Sequence, residues 1–242
     1  SLMLLSLIAG CARQSGGGIS QMLADTVESA AQIVIDNEES DSGTSQSQPP
    51  LDMAPQEEVG GEIVYSVASF DPEHCWETYE DDRGWVQCAD GWLVMRNLTD
   101  SPRATMSWAN LSLENFVLEV ETKWVGGTDD NWHLVRIRSG SESEYIVGIS
   151  ADGYYTIGHE DAESISAIID PEPSDHIHTG MDDVNVMRIV SADGSLALFV
   201  NGQFLTEADN LSPSRGDIAL EVQSMAGEYS DIAYRNLTIM AP

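Results

Sequence analysis

The stretch NVMRIVSADGSLALFVNGQFL, residues 185–205, decides the fold. Two apolar-rich pieces, NVMRIV and SLALFV, flank Ala192-Asp193-Gly194, and Asn201-Gly202 separates the second from QFLTEA. Asp-Gly and Asn-Gly pairs accept positive φ at low cost, which two-residue hairpin loops demand. The stretch therefore reads as three consecutive antiparallel strands. Working outward, Ala151-Asp152-Gly153 joins SEYIVGIS to YYTIGHE in the same way. NFVLEVETKW alternates, with Phe116, Leu118, Val120, Thr122 and Trp124 on one face and Val117, Glu119, Glu121 and Lys123 on the other. WHLVRIRS, DIALEVQS and SDIAYRNLTIM continue the series with no helical periodicity between them. Short strands between turn signals predict an all-β, antiparallel two-sheet sandwich.

The chain of 242 residues carries 10 Lys plus Arg against 41 Asp plus Glu, a net charge of -31, and Lys123 is its one lysine. Such a surface repels phosphate backbones and anionic lipid headgroups, which excludes nucleic acid as a partner. The acid excess has two readings: solubility in a salty medium, where charges are screened over a few ångströms, or binding of divalent cations.

Residues 1–61 differ in character from the strands. Leu2 to Ala9 form an apolar run far shorter than the about 20 residues that cross a bilayer, a length that suits a secretory leader. Leu7-Ile8-Ala9-Gly10-Cys11 resembles the bacterial lipobox. That resemblance implies cleavage before Cys11, acylation of its thiol and a lipid-anchored, extracytoplasmic protein. Residues 12–61 read as a spacer. Met22, Leu23, Val27, Ala30, Ala31 and Val34 recur at helical spacing behind Ser20, predicting one amphipathic helix over about 20–35. DNEESDSGTSQSQPPLDMAPQEEVGG, from Asp36, has the composition of a disordered linker. In an oxidising compartment Cys75 and Cys88, flanking a turn-like segment, are expected to form a local disulfide. A zinc site with His74 is the competitor, and it lacks a second pair of ligands at zinc spacing.

The succession NFVLEVETKW, TDDNWHLVRIR, EYIVGISADGYY, NVMRIVSADGSLALFVNGQFL, GDIALEV and DIAYRNLTI resembles the concanavalin A-like lectin/glucanase jelly roll. Within it, the laminin-G-like and 3-keto-disaccharide-hydrolase-like branch common in bacterial lipoproteins is most similar. The resemblance covers residues 62–242. It implies a jelly-roll domain and a glycan or cell-envelope partner, with the membrane reached only through the lipid anchor.

Jelly-roll lectins stack aromatic rings on sugars and bond hydroxyls with polar groups. The candidate ligand-binding residues are therefore Trp132, Tyr145, Tyr154 and Tyr155 with Arg136 and Arg138, although strand alternation equally places such rings in a core. The arginines either pair with Glu144 or Glu142 or recognise an acidic sugar. Glu119 and Glu121 are the alternative catalytic pair, since neighbours at i and i+2 on a strand approach the carboxyl spacing of a retaining glycosidase. The glucanase pattern adds a third acid, and Lys123 stands in the next same-face position. The sequence before LVRIR also departs from the hydrolase branch, with Asn131-Trp132-His133 in place of its Asn-Ser-Gly. Asp129, Asp130 and Asn131 in GGTDDN are candidate calcium ligands, structural calcium being common in sandwich lectins. A third reading is a structural envelope protein assembling through calcium.

Overall fold

The computed structural model describes residues 61–98, 105–139, 143–212, 215–225 and 228–241. Cys11 and the helix expected over about 20–35 lie outside them. Every regular element among the described residues is a β-strand. The first five are β1 (Glu62–Val67), β2 (Tyr79–Glu80), β3 (Gly84–Ala89), β4 (Trp92–Asn97) and β5 (Thr105–Trp108). Next come β6 (Phe116–Gly127), β7 (Asn131–Ser139), β8 (Ser143–Ser150), β9 (Tyr154–Asp161) and β10 (Ile165–Pro173). The last are β11 (Asn185–Ala192), β12 (Ser195–Val200), β13 (Gln203–Ala208), β14 (Asp217–Ser224) and β15 (Ser230–Ala241). All pair antiparallel in two sheets. One sheet runs β13-β12-β11-β6-β15-β4-β3-β2, with β1 also on β15; the other runs β10-β9-β8-β7-β14-β5. This is a jelly-roll sandwich.

The turn chemistry behaves as the sequence demands at Asp193-Gly194 and Asn201-Gly202, while Ala151-Asp152-Gly153 forms a three-residue loop between β8 and β9 in which only Gly153 takes a positive φ, 98°. Asp193-Gly194 and Asn201-Gly202 close two-residue loops between paired Ala192 and Ser195 and between Val200 and Gln203, with φ of 47° and 87°, then 52° and 79°. Positive φ at both central residues is the type I′ geometry whose twist matches the strands. Asp90-Gly91 builds the same hairpin between β3 and β4, at φ 51° and 80°.

The core lies between the sheets. Leu118, Val120, Met187, Ile189, Leu198, Ile232 and Tyr234 from one sheet meet Val135, Ile137, Val147, Ile157, Leu220 and Val222 from the other. Tyr234 donates its buried hydroxyl to the Glu221 carbonyl at 2.7 Å, a hydrogen bond from one sheet to the other. β10 was not legible as a strand. Its segment is acidic and carries Pro171 and Pro173, and two breaks in its register with β9 scramble the alternation.

Cys75 and Cys88 form the expected disulfide, 13 residues apart. Beside it Trp76 donates to the Tyr65 hydroxyl at 2.6 Å and packs edge-on against buried Phe70. Replacing both cysteines by serine is expected to lower the unfolding free energy by about 3 kcal/mol through loop-closure entropy. Urea titration of the variant, and of the protein with and without reductant, checks this.

His133 supplies a pH signature. Its ring is buried in the core, with Nδ1 2.9 Å from the Thr122 hydroxyl and Nε2 unpartnered. Burial pushes its pKa down to about 3 from 6.5. Below pH 6.5 the unfolded chain takes up a proton that the folded chain refuses, so stability falls with pH until about 3. From this residue alone, about 2 kcal/mol is expected to be lost between pH 6.5 and pH 5. His133→Asn is expected to flatten that limb by about one proton. Urea midpoints measured at the two pH values check it, and an unchanged slope in the variant would contradict the assignment.

Candidate outer face of the six-stranded sheet

Strand alternation sends His133, Val135 and Ile137 of β7 into the core and Trp132, Leu134 and Arg136 to the opposite, outer side of the sheet. Register extends this face across four strands. Gln223 pairs with Trp132, which pairs with Ser150. Glu221 lies opposite Leu134, Gly148 and Thr156 follow in line, and Glu144 opposes Glu160. Trp132, Leu134 and Ile146 form a second apolar cluster here, packed by Tyr154, Ile165 and Met225. Gly148 leaves the space that the Leu134 side chain fills, at 2.5 Å from where a Cβ would stand.

Arg136 organises the polar part. Its Nε and Nη2 bond the two oxygens of Glu221, the second at 3.3 Å, while Nη1 bonds both Glu144, at 2.9 Å, and Glu160. The Glu221 side chain is 1% exposed and that of Arg136 7%. Burial disfavours the Arg136 charge, but the Glu221 and Glu160 carboxylates outweigh it and hold the proton more tightly than usual. Burial raises the pKa of Glu221 above the ordinary carboxylate range against the pull of Arg136, with Glu160 and Glu144 adding to the rise. Arg136 is thus the paired arginine of the two sequence readings. The side chain of Arg138 lies outside the described residues.

The aromatic candidates divide between the faces. Trp132 is on the outer face but 5% exposed, a floor beneath Tyr154 rather than an open platform. Tyr154 is half-buried at its rim. Tyr145 and Tyr155 turn inward, a correction to their grouping with the outer face. The Tyr145 hydroxyl accepts from the Ser212 amide at 3.1 Å, and Tyr155 donates to Glu172 at 2.7 Å. Burial and Glu172 push the Tyr155 phenol up to about 12. Consecutive residues of a strand cannot share a face, which separates Tyr154 from Tyr155.

Glu119 and Glu121 stand on the outer face of the other sheet, on the far side of the core. Glu119 is 3.7 Å from Arg188, and Glu121 accepts from Arg235 at 2.7 Å and from Asn236 at 2.6 Å. In the GGTDDN turn, the Thr128 hydroxyl accepts from the Asp130 amide at 3.1 Å and its carbonyl accepts from the Asn131 side chain at 2.7 Å. Asn131 Oδ1 is buried without a partner. Burial, then Asp152, then Asp129 raise the pKa of Asp130. Among the described residues no three His, Cys, Asp or Glu side chains gather as metal ligands.

Sequence reasoning missed Gln223 and Glu221. Gln223 is 1% exposed, and neither amide atom has a hydrogen-bond partner. The signal was available. In DIALEVQS the apolar residues Ile218, Leu220 and Val222 alternate with Ala219, Glu221 and Gln223, and that second set meets Arg136 once β14 is paired with β7.

No curated protein matches the chain. Solved structures share the fold at low identity. A Bacillus subtilis protein of unknown function with a galectin-like fold is 14% identical, covering 74% of this chain and 96% of its own, at a TM-score of 0.53. A Bacillus licheniformis beta-glucanase is 10% identical, covering 76% and 100%, at 0.52. The catalytic domain of an endo-1,3-beta-glucanase (laminarinase) from Thermotoga petrophila RKU-1 is 9% identical, covering 75% and 98%, at 0.51. The chain thus shares the sandwich fold of these structures. Residues 68–240 match the 3-keto-alpha-glucoside-1,2-lyase-like domain, and the chain belongs to that family.

Proposed function

We propose that the outer face of the six-stranded sheet binds a glycan and that the protein presents it outside the cytoplasm on a lipid anchor at Cys11. The observation that carries the first part is Gln223. A buried amide with no partner costs about 1–3 kcal/mol, and sugar hydroxyls supply the donors and acceptors that it lacks. Tyr154 gives a ring at the rim for the apolar side of a pyranose. Family membership supports the reading, since the family description is of a domain acting on a glucoside. The disulfide, at home in an oxidising compartment, supports the second part, and acylation of Cys11 with two or more chains suffices for stable anchoring.

A second reading, catalysis, is favoured by one observation: Glu144 and Glu160 meet on a single guanidinium nitrogen, with Glu221 beside them. In a 3-keto-glucoside the ketone acidifies the C2 proton. A carboxylate takes that proton, the C1–O bond breaks, and the departing oxygen is protonated by an acid. Turnover of a 3-keto-glucoside that is lost in Glu160→Gln would establish this reading in place of binding alone.

On a glycan array with calcium and again with EDTA, the protein is expected to bind saturably. Tyr154→Ala and Gln223→Ala are each expected to weaken the interaction about tenfold. Glu119→Gln, on the far sheet, is expected to leave it unchanged. A blank array in both conditions would overturn the glycan reading, and binding lost only in EDTA would place calcium in the site. In bacteria, Cys11→Ser is expected to shift the protein from the membrane to the soluble fraction, with loss of the acyl mass in intact-protein mass spectrometry.

A further inference from the structure

The outer face of the nine-stranded sheet lies across the core from the proposed glycan face, and its charges cancel. Arg96 pairs with Asp231 at 2.6 Å, Lys123 with Asp182 and Arg235 with Glu121 at 2.7 Å, and Arg188 with Glu119 at 3.7 Å. Four charges of each sign thus share this face, in a chain whose net charge is -31. Rings lie among them. Arg96 stands between Trp85 and Tyr229, and Lys123 and Arg235 stand over Trp92. Tyr229 is 43% exposed, and at the other side of the face Phe204 is 52% exposed beside Phe199. Trp, Tyr and Arg are the residues that most often anchor protein–protein contacts.

We propose that this face pairs with the same face of a second copy of the chain, about a two-fold axis running between β6 and β15. Glu121 and Arg235 are register partners on these two strands, so that axis sets each copy's Glu121 over the other's Arg235. The Arg235 side chain is 39% exposed and, among the described residues, bonds Glu121 through Nε, which leaves its two terminal nitrogens to the second carboxylate. Other partners fit less well. An anionic one is repelled by the net charge, and a basic one finds the acids of this face already paired. A glycan needs open ring faces, and here cations stand over the rings. The extent suffices for a stable dimer. The strands from β12 to β3 span about 25 Å and the outward residues of β6 run about 30 Å, giving about 700 Å² a copy against the usual value of about 800 Å².

The test is the mass of the purified full chain by sedimentation equilibrium at physiological salt, with Cys11→Ser present throughout to remove acylation as a cause of association. A dimer with a Kd of about 10 µM or tighter is expected. Glu121→Arg and Arg235→Glu each set like charges over one another across the axis, and each is expected to weaken the dimer at least about tenfold. Mixed in equal amounts, the two variants are expected to restore it as a heterodimer, since every reversed charge then meets its opposite. Glu121→Gln combined with Arg235→Gln, a gentler change to the fold, is expected to weaken the dimer about tenfold as well.

A monomer persisting at about 100 µM would overturn the inference. A dimer that the glutamine pair and both charge reversals leave intact would also overturn it, by placing association elsewhere in the chain. So would reversal variants that stay monomeric when mixed although circular dichroism shows both folded. If a reversal variant is unfolded, the wild-type mass and the glutamine pair decide. Pairing through this face leaves the two six-stranded sheets on opposite sides of the dimer, so the glycan reading and this one fail separately.

Discussion

Arg136 holds the six-stranded sheet together on the side away from the core. Its guanidinium rises from β7 and reaches Glu221 on β14, Glu144 on β8 and Glu160 on β9, so a single cation ties four adjacent strands. Such a buried cluster is weak evidence for added stability, because desolvating four charges offsets much of their attraction. Its effect is on specificity. A slip of one residue in β14 would send Glu221 into the core and leave Arg136 facing two glutamates alone, a state that burial makes costly. The register that places Gln223 beside Trp132 is therefore the register that the ion cluster selects.

The other sheet treats its few cations differently. Arg96 forks onto Asp231 at 2.6 Å through both nitrogens and lies between the rings of Trp85 and Tyr229, at 5.0 and 4.5 Å from their centroids. Lys123 and Arg235 stand over Trp92 at 4.8 and 4.2 Å. With 41 acids in the chain, each of these cations finds a carboxylate without difficulty, and the aromatic faces add attraction of about 0.5–1 kcal/mol apiece at such exposed sites. The far face is a neutralised, stacked surface, whereas the outer face of the six-stranded sheet keeps an excess of acid at both ends. The same composition thus yields two faces of different character, according to how its 10 cations are distributed.

What was legible in the sequence was local. Hairpins closed by Asp-Gly and Asn-Gly can be read because positive φ is a property of those residues alone, and the alternation of NFVLEVETKW gives a face without knowledge of its partner. The six-stranded sheet resisted for a physical reason. β14 is buried along nearly its whole length, and although Ile218, Leu220 and Val222 alternate with Ala219, Glu221 and Gln223, only its pairing with β7 tells what the second set meets. Tyr154 and Tyr155 illustrate the consequence. As residues they are alike, and only the direction of the strand assigns one to the rim and the other to the core. The charge cluster was half legible: Arg136 and Glu144 are eight residues apart, while Glu221 reaches Arg136 across 85 residues of chain.

Gln223 and Asn131 share a condition that otherwise occurs, among the described residues, only at His133: a buried polar atom left without a partner. Gln223 differs from the other two in direction. Asn131 and His133 occupy odd positions of β7, on the core side, where neighbouring polar groups already satisfy part of each side chain. Gln223 has both amide atoms unpaired and lies on the face opposite the core, as the register partner of Trp132. A leucine there would pack against Trp132 without the desolvation penalty, and Leu134 shows that the face accommodates one. An amide at that position makes structural sense only if something else completes its hydrogen bonds, which is why function on this face is argued from Gln223 and not from the more conspicuous arginine.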